Sequence, residues 1–475
     1  GPGDASNNVL MFQDNGDQIV TCSSGTCTTV TNTNLTTGTA NQMVTFTETG
    51  ANTGIFTNWD DGLVSNMYIN PEADRGTQAT FKWDDVEFSV LYMPSWGTIS
   101  FNTDGSAGGT TAAAIGAEWN SGELVEVILD DNDMNLDARS QEQMTVGANS
   151  TIVPAVKIGS PITLATMNSI TYHNNAATTR VLDSGIDDTQ CSSDYDAAGT
   201  AASYTSCYEK YSERAVITNN GDALTISNND SLQIAYDATT VADLQDLISN
   251  ANGTAAYTYI QYDLRALNGG SNDSNAYLNF TVGDDSATDA LSSNETDGNV
   301  ITSAYSKGLI GQALMNAPGA KAQGFGSLTG TDSLEVLINF KGLNGSISLT
   351  GMTAGLSAPI TLDFVTFGQS NDGVNSSDRH NNSIYRLEVD EVDANGGIFV
   401  GELDFIMLNQ LNVNQTSTYN NTKTDHEENR IIVHNDLTDE DEIRINYLDM
   451  GADGVETQVG DQLAAPTHSG VVEFD

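Results

Sequence analysis

The stretch Leu334-Glu335-Val336-Leu337-Ile338-Asn339-Phe340 decides the fold class, because apolar residues stand at every second position. A period of two places alternate side chains on opposite faces of a strand. Three further stretches alternate in the same way, at Val125, Val127 and Leu129, at Leu232, Ile234 and Tyr236, and at Ile443, Ile445 and Tyr447. We therefore predict an all-β protein of antiparallel sheets, each with one face in a core.

The spacing of these stretches predicts a modular chain. Their first apolar positions, 125, 232, 334 and 443, lie 107, 102 and 109 residues apart. An immunoglobulin-like β-sandwich has about 100 residues, so the sequence predicts tandem immunoglobulin-like β-sandwich domains. We expect them at 1–150, 151–245, 246–350 and 351–475, the first with an acidic loop and the second with a cysteine-containing insert.

One turn sequence occurs twice. Thr49-Gly50-Ala51-Asn52-Thr53-Gly54-Ile55-Phe56 is similar to Val392-Asp393-Ala394-Asn395-Gly396-Gly397-Ile398-Phe399, and in both an Asn/Gly turn leads into an apolar strand. The first and last modules are therefore predicted to be the most alike. Helix signals are few: Thr240 is a candidate cap for a short helix from Val241, and Ser303 to Met315 is a second candidate helix.

The charge of the chain limits its partners. Asp and Glu number 64 against 16 Lys and Arg, which gives a net charge of −48. Nucleic acid is excluded as a partner because phosphate binding needs clustered cations. We expect a setting where salt screens this charge or bound divalent cations neutralise it. No 18-residue apolar stretch occurs, so no transmembrane segment is predicted in this sequence.

Cysteines and glycosylation sequons favour an extracellular, cell-surface location. Cys22 with Cys27 and Cys191 with Cys207 form two local pairs, which predict two small disulfide-closed loops, with inert thiols as the alternative. Asn-x-Ser/Thr sequons are candidate glycan sites. They occur at Asn34, Asn149, Asn229, Asn252, Asn272, Asn279, Asn294, Asn344, Asn375, Asn381, Asn414 and Asn420.

An acidic segment follows the first alternating stretch and predicts a structural Ca²⁺ site. Counting Asp131 as position one, oxygen-bearing side chains stand at positions one, three, five, seven and twelve, which are Asp131, Asp133, Asn135, Asp137 and Glu142. Asp130 directly precedes them and is a further candidate ligand. Calcium takes six to eight oxygen ligands, and this spacing is similar to that of an EF-hand loop. Position six is Leu136 rather than glycine and the flanks are strands, so a solvated acidic turn is the alternative.

Sequence signatures of catalysis are absent. The five histidines form no His-Glu-x-x-His motif, and no Gly-x-Ser-x-Gly motif occurs. We therefore expect no enzymatic activity.

The chain resembles the surface-layer proteins of ammonia-oxidising archaea. The resemblance is carried by Thr47-Glu48-Thr49-Gly50-Ala51-Asn52-Thr53-Gly54-Ile55-Phe56 and by the acidic strand end Glu126 to Asp137. It implies a self-assembling, porous, anionic lattice on the cell surface, with divalent cations at the modules and ammonium enriched as a diffuse counterion. A modular secreted adhesin that binds a cell-surface or carbohydrate ligand is the alternative function.

Overall fold

The structure is a computed structural model of residues 1–475. It describes residues 10–12, 18–23, 26–31, 42–43, 47–57, 67–69, 78–83, 86–91, 96–102, 119, 122, 124–135, 140–147, 153–174, 179–183, 207–209, 212–218, 224–249, 255–285, 300–316, 332–352, 357–369, 379–394, 396–407, 416–419, 425–426, 428–433, 442–450 and 456–464. These residues form mostly antiparallel strands, which confirms the all-β prediction; immunoglobulin-like domains remain a prediction.

The strands of the first third of the chain are mostly short. They are β1 Leu10–Phe12, β2 Gln18–Ser23, β3 Thr26–Thr31, β4 Gln42–Met43, β5 Thr47–Glu48, β6 Phe56–Thr57, β7 Met67–Ile69, β8 Gln78–Trp83, β9 Val86–Leu91, β10 Thr98–Asn102, β11 Val125–Asp130, β12 Gln143–Met144 and β13 Ala155–Ile158.

The middle of the chain contains longer strands and one amphipathic helix. The strands are β14 Met167–His173, β15 Thr179–Asp183, β16 Cys207–Glu209, β17 Arg214–Thr218, β18 Leu224–Ser227, β19 Ser231–Thr240, β20 Ala255–Asp263, β21 Ala276–Asp285, β22 Val300–Lys307, β23 Ile310–Asn316, β24 Ser333–Gly342, β25 Ser348–Met352 and β26 Ser357–Gln369. The helix is α1 Val241–Ser249.

The last part of the chain returns to strands with one short helix, α2 Thr416–Tyr419. The strands are β27 Arg379–Leu387, β28 Val389–Glu391, β29 Ile398–Met407, β30 Asp425–His426, β31 Glu428–Val433, β32 Glu442–Met450 and β33 Glu456–Ala464.

Three large sheets enclose two main cores. The order in one six-stranded sheet is β15-β14-β19-β24-β21-β22, and in the other it is β10-β11-β29-β28-β12 with β31 on β29. A ten-stranded sheet contains β16-β17-β26-β27-β13-β32-β33, with β20 on β26, β23 on β20 and β30 on β27. This sheet contributes to both cores, since its β26 lines the first core and its β27 and β32 line the second.

The four alternating stretches are all strands whose apolar face is buried. They form β11, β19, β24 and β32, and every one of their alternating apolar residues is less than one tenth exposed. Strand β24 is buried on both faces over most of its length, because it lies between β19 and β21 in the middle of its sheet. The period-two pattern therefore predicted both the strands and their inward faces.

In the sequence, the segment between β13 and β27 is inserted between the two segments that build the second core. The first core is built by residues between 162 and 364, whereas the second is built by residues between 99 and 158 and between 385 and 447. Strand β11 pairs with β29 along its whole length, and β19 pairs with β24. Hydrogen-bonded pairs thus cross the expected divisions near 150, 245 and 350, and the four-domain division stays a prediction.

Of the two predicted helices, one is present and one is not. Thr240 precedes α1: its Oγ1 accepts from Asp243 N at 3.4 Å, while the Asp243 carboxylate accepts from Thr240 N at 2.7 Å. The predicted helix over Ser303 to Met315 is wrong, because these residues lie in β22 and β23. Pairing of β22 with β21 and of β23 with β20 overrides the local helical preference.

Scarce cationic side chains join the two cores. Arg386 on β27 forms a fully buried ion pair with Asp363 on β26, at 2.6 Å between Nη1 and Oδ2. Arg265 bridges Asp263 and Glu388, each at 2.7 Å. These contacts cross from the inserted segment to the flanking strands, so they fix the orientation of one core against the other.

Candidate metal centre

Three carboxylates from distant parts of the chain converge at one end of the second core. One ligand oxygen from each of Asp131, Asp133 and Asp449 lies within 4.8 Å of the others. Asp131 and Asp449 are buried, and Asp133 is exposed. The group therefore has two buried carboxylates and a third carboxylate, that of Asp133, which is accessible to solvent.

The end of β11 positions Asp131 and Asp133. Strand β11 ends at Asp130, and the next residue caps a one-turn 3₁₀ helix, Asn132–Met134, with its Oδ1 accepting from Asp133 N at 3.0 Å. The Asp131 backbone N donates to Gly397 O at 2.8 Å, which holds the turn against the residue before β29. A short polar side chain at this position satisfies a backbone donor that the helical turn leaves open.

Strand β32 supplies the third carboxylate. Asp449 lies near its C-terminal end, and Asp449 Oδ2 accepts from Gly97 N at 2.8 Å. Tyr447, two residues earlier on the same face, donates its phenol hydrogen to Asp131 Oδ2 at 2.7 Å. A Cβ on Gly97 would lie 3.3 Å from the Asp449 carboxylate carbon and 3.5 Å from that of Asp131, so glycine leaves the two acids room.

Burial makes ionisation of this group costly without a counterion. Desolvation, reinforced by the charge of Asp449, raises the pKa of Asp131 to about 6, although the hydrogen bond from Tyr447 opposes the rise. Two buried carboxylates at this separation repel each other, and a bound cation would reverse the sign of that interaction. Carboxylate oxygens are the ligands that Ca²⁺ prefers, with water completing its shell on the exposed side.

The structure brings together only some of the residues that the loop spacing suggested. Asp131 and Asp133 belong to the group of three, whereas the exposed Asp130 and the distant Glu142 do not. Glu142 N instead donates to Glu391 Oε2 at 3.2 Å beside β28. Asn135 ends the 3₁₀ turn, its N–H donating to Asn132 O, and Asp137 lies outside the described residues.

Sequence reasoning did not join Asp449 to this group. A usable signal was present, because Asp449 follows the alternating residues of β32 much as Asp130 and Asp131 follow those of β11. Two strands that end in acids on one core can bring those acids together. The spacing of acidic residues along the loop after β11 does not indicate that Asp449 lies beside them.

The cysteine predictions are partly within the described residues. Cys22 and Cys27 are directly opposite each other in the antiparallel register of β2 and β3. Opposed residues have Cα atoms about 4.5–5.5 Å apart, which is within the range that a disulfide spans. Cys207 begins β16, and Cys191 lies outside the described residues. Both disulfides stay predictions.

The candidate glycan sites divide by accessibility. Asn229, Asn272 and Asn344 are exposed, and Asn279 and Asn381 are buried within strands. A glycan has no room on the two buried amides in the folded chain. The others, Asn34, Asn149, Asn252, Asn294, Asn375, Asn414 and Asn420, lie outside the described residues.

No protein-family model matches this chain, and no curated protein matches it significantly. Within the described residues, no helix is long and apolar enough to cross a membrane.

Proposed function

We propose that this chain is a structural protein of the cell surface that self-assembles into a porous, anionic surface-layer lattice and is rigidified by Ca²⁺ at Asp131, Asp133 and Asp449. The observation that carries this proposal is the convergence of the three carboxylates from β32 and the end of β11. A cation there would tie together two strands that are more than 300 residues apart in sequence. Such a tie is a structural function rather than a catalytic one.

Electrostatics supports a cation at this position. The chain carries a net charge of −48, so the entire molecule attracts cations and increases their local concentration. Asp131 and Asp449 are buried, and their carboxylates accept hydrogen bonds from Gly97 N, Asp133 N and the Tyr447 phenol, which are neutral donors. A divalent ion offsets both their desolvation and their repulsion.

The sheet shared by the two cores supports a structural role. The ten-stranded sheet contributes to both cores, and the inserted segment is joined to the flanking strands by buried ion pairs such as Arg386–Asp363. Two cores that share one sheet resist bending against each other better than domains on flexible linkers do. Repeated contacts between rigid copies are what a two-dimensional lattice requires.

Fixed negative charge gives the proposed lattice a second property. Pores lined by carboxylates concentrate cations and exclude anions through their summed potential. Ammonium would be held as a diffuse counterion, in competition with sodium and divalent ions. The proposed coat therefore raises the local supply of cations to the cell beneath it, without a dedicated ammonium site.

Electron microscopy of the purified chain in seawater-strength salt tests this function. We expect ordered sheets with Ca²⁺ that dissolve when a chelator is added, and no sheets from Asp449→Asn. Asp390→Asn is the matched control, because it removes one charge from an exposed position of β28 outside the carboxylate group. A chain that stays monomeric under all of these conditions while binding a glycan surface would overturn the lattice and favour the adhesin.

A further inference from the structure

Two lysines flank a tyrosine on the six-stranded sheet that contains β19, β24 and β21. On β21, Tyr277 is directly opposite both Lys307 of β22 and Lys341 of β24. Opposed residues in antiparallel strands lie on the same face of a sheet, and here it is the face turned away from the first core. Neighbouring strands are about 4.8 Å apart, so the backbones of the two lysines are separated by about 10 Å. We call these three residues the Lys–Tyr–Lys row.

Both lysines of the row are without an ionic partner, although the chain is rich in acids. Lys307 is exposed and Lys341 is half-buried. The ion pairs formed among the described residues involve other cations, such as Lys157 and Arg386, and none of them includes either lysine of the row. Acids outnumber bases by 64 to 16, so two adjacent unpaired cations stand out on this anionic chain. They favour an anionic ligand from outside the sheet.

An exposed aromatic ring lies beside the row. Tyr305 is two residues before Lys307 on β22, so it shares the same face, and it is 54 % exposed. Its ring stacks on that of Tyr277, with the ring centroids 5.7 Å apart and the ring planes at 19°. The stack places a flat apolar surface next to two positive charges. Such a ring packs best against a ligand that has a flat apolar face of its own.

Buried polar groups without partners lie next to the row on the same face. Asn339 is two residues before Lys341 on β24 and is directly opposite Ser231 of β19. Asn339 is only 5 % exposed and Ser231 is fully buried. Within the part of the chain that the structure describes, Asn339 Nδ2 and Ser231 Oγ have no hydrogen-bond partner. A buried donor without an acceptor is costly, so these groups point to a ligand rich in acceptor oxygens.

Two turns hold this end of the sheet in place. After β22, Gly308 N donates to Ala276 O at 2.9 Å, and after β24, Leu343 N donates to Asn275 O at 3.1 Å. Both turns belong to the described residues and flank the row. The charges, the rings and the buried donors are therefore on a preformed surface, which lowers the entropic cost of binding.

We infer that this surface binds a short acidic saccharide, such as an oligomer of uronic acid. Carboxylates of neighbouring sugars pair with Lys307 and Lys341, the C–H face of a sugar ring packs on Tyr305, and a sugar oxygen accepts from Asn339 Nδ2. Nucleic acid also combines anions with flat rings, but its dense charge is repelled by a chain of net charge −48. The inference goes beyond the proposed function and does not depend on lattice formation.

The candidate glycan sites support a saccharide at this place. Asn229, Asn272 and Asn344 are exposed, and all three lie at this end of the sheet. Asn229 N donates to Phe340 O at 2.7 Å, Asn272 Oδ1 accepts from Leu309 N at 2.7 Å, and Asn344 is in the turn after β24. A saccharide attached to one of these amides and a saccharide of a separate molecule offer the row the same chemistry.

Fluorescence anisotropy of labelled tetragalacturonate, titrated with the full chain made without glycans, tests the site. Chelator in the buffer removes any binding through calcium at the candidate metal centre. We expect binding that weakens by about tenfold in each of Lys307→Gln, Lys341→Gln and Tyr305→Ala, the effect of losing one charged hydrogen bond or one stacked ring. Arg444→Gln is the matched control, because it removes one exposed positive charge from β32 in another sheet. Thermal melts equal to that of the wild type show that the variants fold.

Two further probes identify the class of ligand. Maltotetraose is a neutral saccharide of the same length, and capped tetraglutamate is a peptide of the same charge, so both are expected to bind much more weakly than tetragalacturonate. Equal binding of tetragalacturonate by the wild type and all three variants, or no binding by the wild type, overturns the inference. Equally tight binding of tetraglutamate or of maltotetraose also overturns it, because an acidic saccharide is then not what the surface recognises.

The chain with its own glycans attached distinguishes the two sources of the saccharide. If this chain binds tetragalacturonate only after enzymatic removal of the glycans, an attached saccharide occupies the row. If it binds equally before and after removal, the row takes a saccharide from a separate molecule. Both results require the variants to lose binding as stated above.

Discussion

Tyr447 donates a 2.7 Å hydrogen bond to Asp131 Oδ2, although 316 residues separate the two in the sequence. This bond fixes the rotamer of the buried carboxylate and leaves its other oxygen to Asp133 N. Together with Asp449, two residues beyond Tyr447, it makes one site from the two sequence segments that build the second core. The predictions on calcium follow from this arrangement.

Calcium is expected to stabilise the wild-type chain through Asp131 and Asp449. At a free concentration of 100 times the dissociation constant, mass action adds about 2.7 kcal/mol to the free energy of unfolding. Asp449→Asn removes most of this gain. In chelator the effect of Asp449→Asn on stability reverses. The variant then melts at a higher temperature than the wild type, because a charge that repels Asp131 is gone. Calorimetry with and without Ca²⁺ checks both results, with Asp390→Asn expected to behave as the wild type.

The raised pKa of Asp131 predicts a specific pH dependence in calcium-free buffer. Its folded pKa is about 6 and its ordinary value is 3.8, so between these values the folded chain holds more protons than the unfolded one. The free energy of unfolding therefore falls as pH rises through this window, by about 3 kcal/mol at 1.36 kcal/mol per unit. Denaturant titrations from pH 4 to 7 measure the loss. Asp131→Asn should lack it, and an identical pH profile in the variant would contradict the assignment.

The same titration governs metal binding. Protonation of Asp131 competes with the cation, so calcium affinity is expected to fall as pH drops below about 6. Isothermal titration calorimetry at pH 5 and pH 7 measures this difference. Equal affinity at the two values would show that Asp131 is not a ligand.

Gly97→Ala is expected to weaken calcium binding without changing any charge. The added Cβ would lie 3.3 Å from the Asp449 carboxylate, so this carboxylate has to shift by a few tenths of an ångström. We expect a several-fold lower affinity and a cost of about 1–3 kcal/mol to stability from overpacking. Equilibrium calcium titration of the folded variant checks the affinity, and an unchanged value would mean that Asp449 does not contact the ion.

Loss of Arg386 is expected to destabilise the chain strongly. Arg386→Met leaves Asp363 buried without its partner, which costs about 3–5 kcal/mol. Adding Asp363→Asn should recover much of that loss, since no unpaired charge then remains. Lys157→Met breaks the more exposed pair with Glu213 and should cost less than about 1 kcal/mol. Urea denaturation of the four proteins checks this order.

The paired cysteines of β2 and β3 predict a mass difference. If Cys22 and Cys27 are bridged, a single disulfide makes the chain about 2 Da lighter than its reduced form, and a second between Cys191 and Cys207 doubles the difference. Intact-mass spectrometry before and after reduction measures it. A peptide digest then assigns the bridge to the β2–β3 hairpin.

The sequence predicted the strands well and the helices less well. Alternation identified β11, β19, β24 and β32 with their buried faces, because side-chain direction in a strand follows from position alone. The helix cap at Thr240 was also predictable from the sequence, because a cap depends only on residues within one turn. Ser303 to Met315 was not, because its strands exist through pairing with distant neighbours.

The sequence by itself determined the fold class, the acidic character, the repeated turn and two of the three carboxylates of the candidate metal site, all of which depend on short-range patterns. Only the tertiary structure decided that β11 pairs with β29, that Asp449 joins Asp131, and that Phe399 of one copy of the turn is buried whereas Phe56 of the other is exposed. Those relationships join residues hundreds of positions apart. They arise because burial of apolar faces selects strand partners by fit in three dimensions, and the local sequence carries no record of that choice.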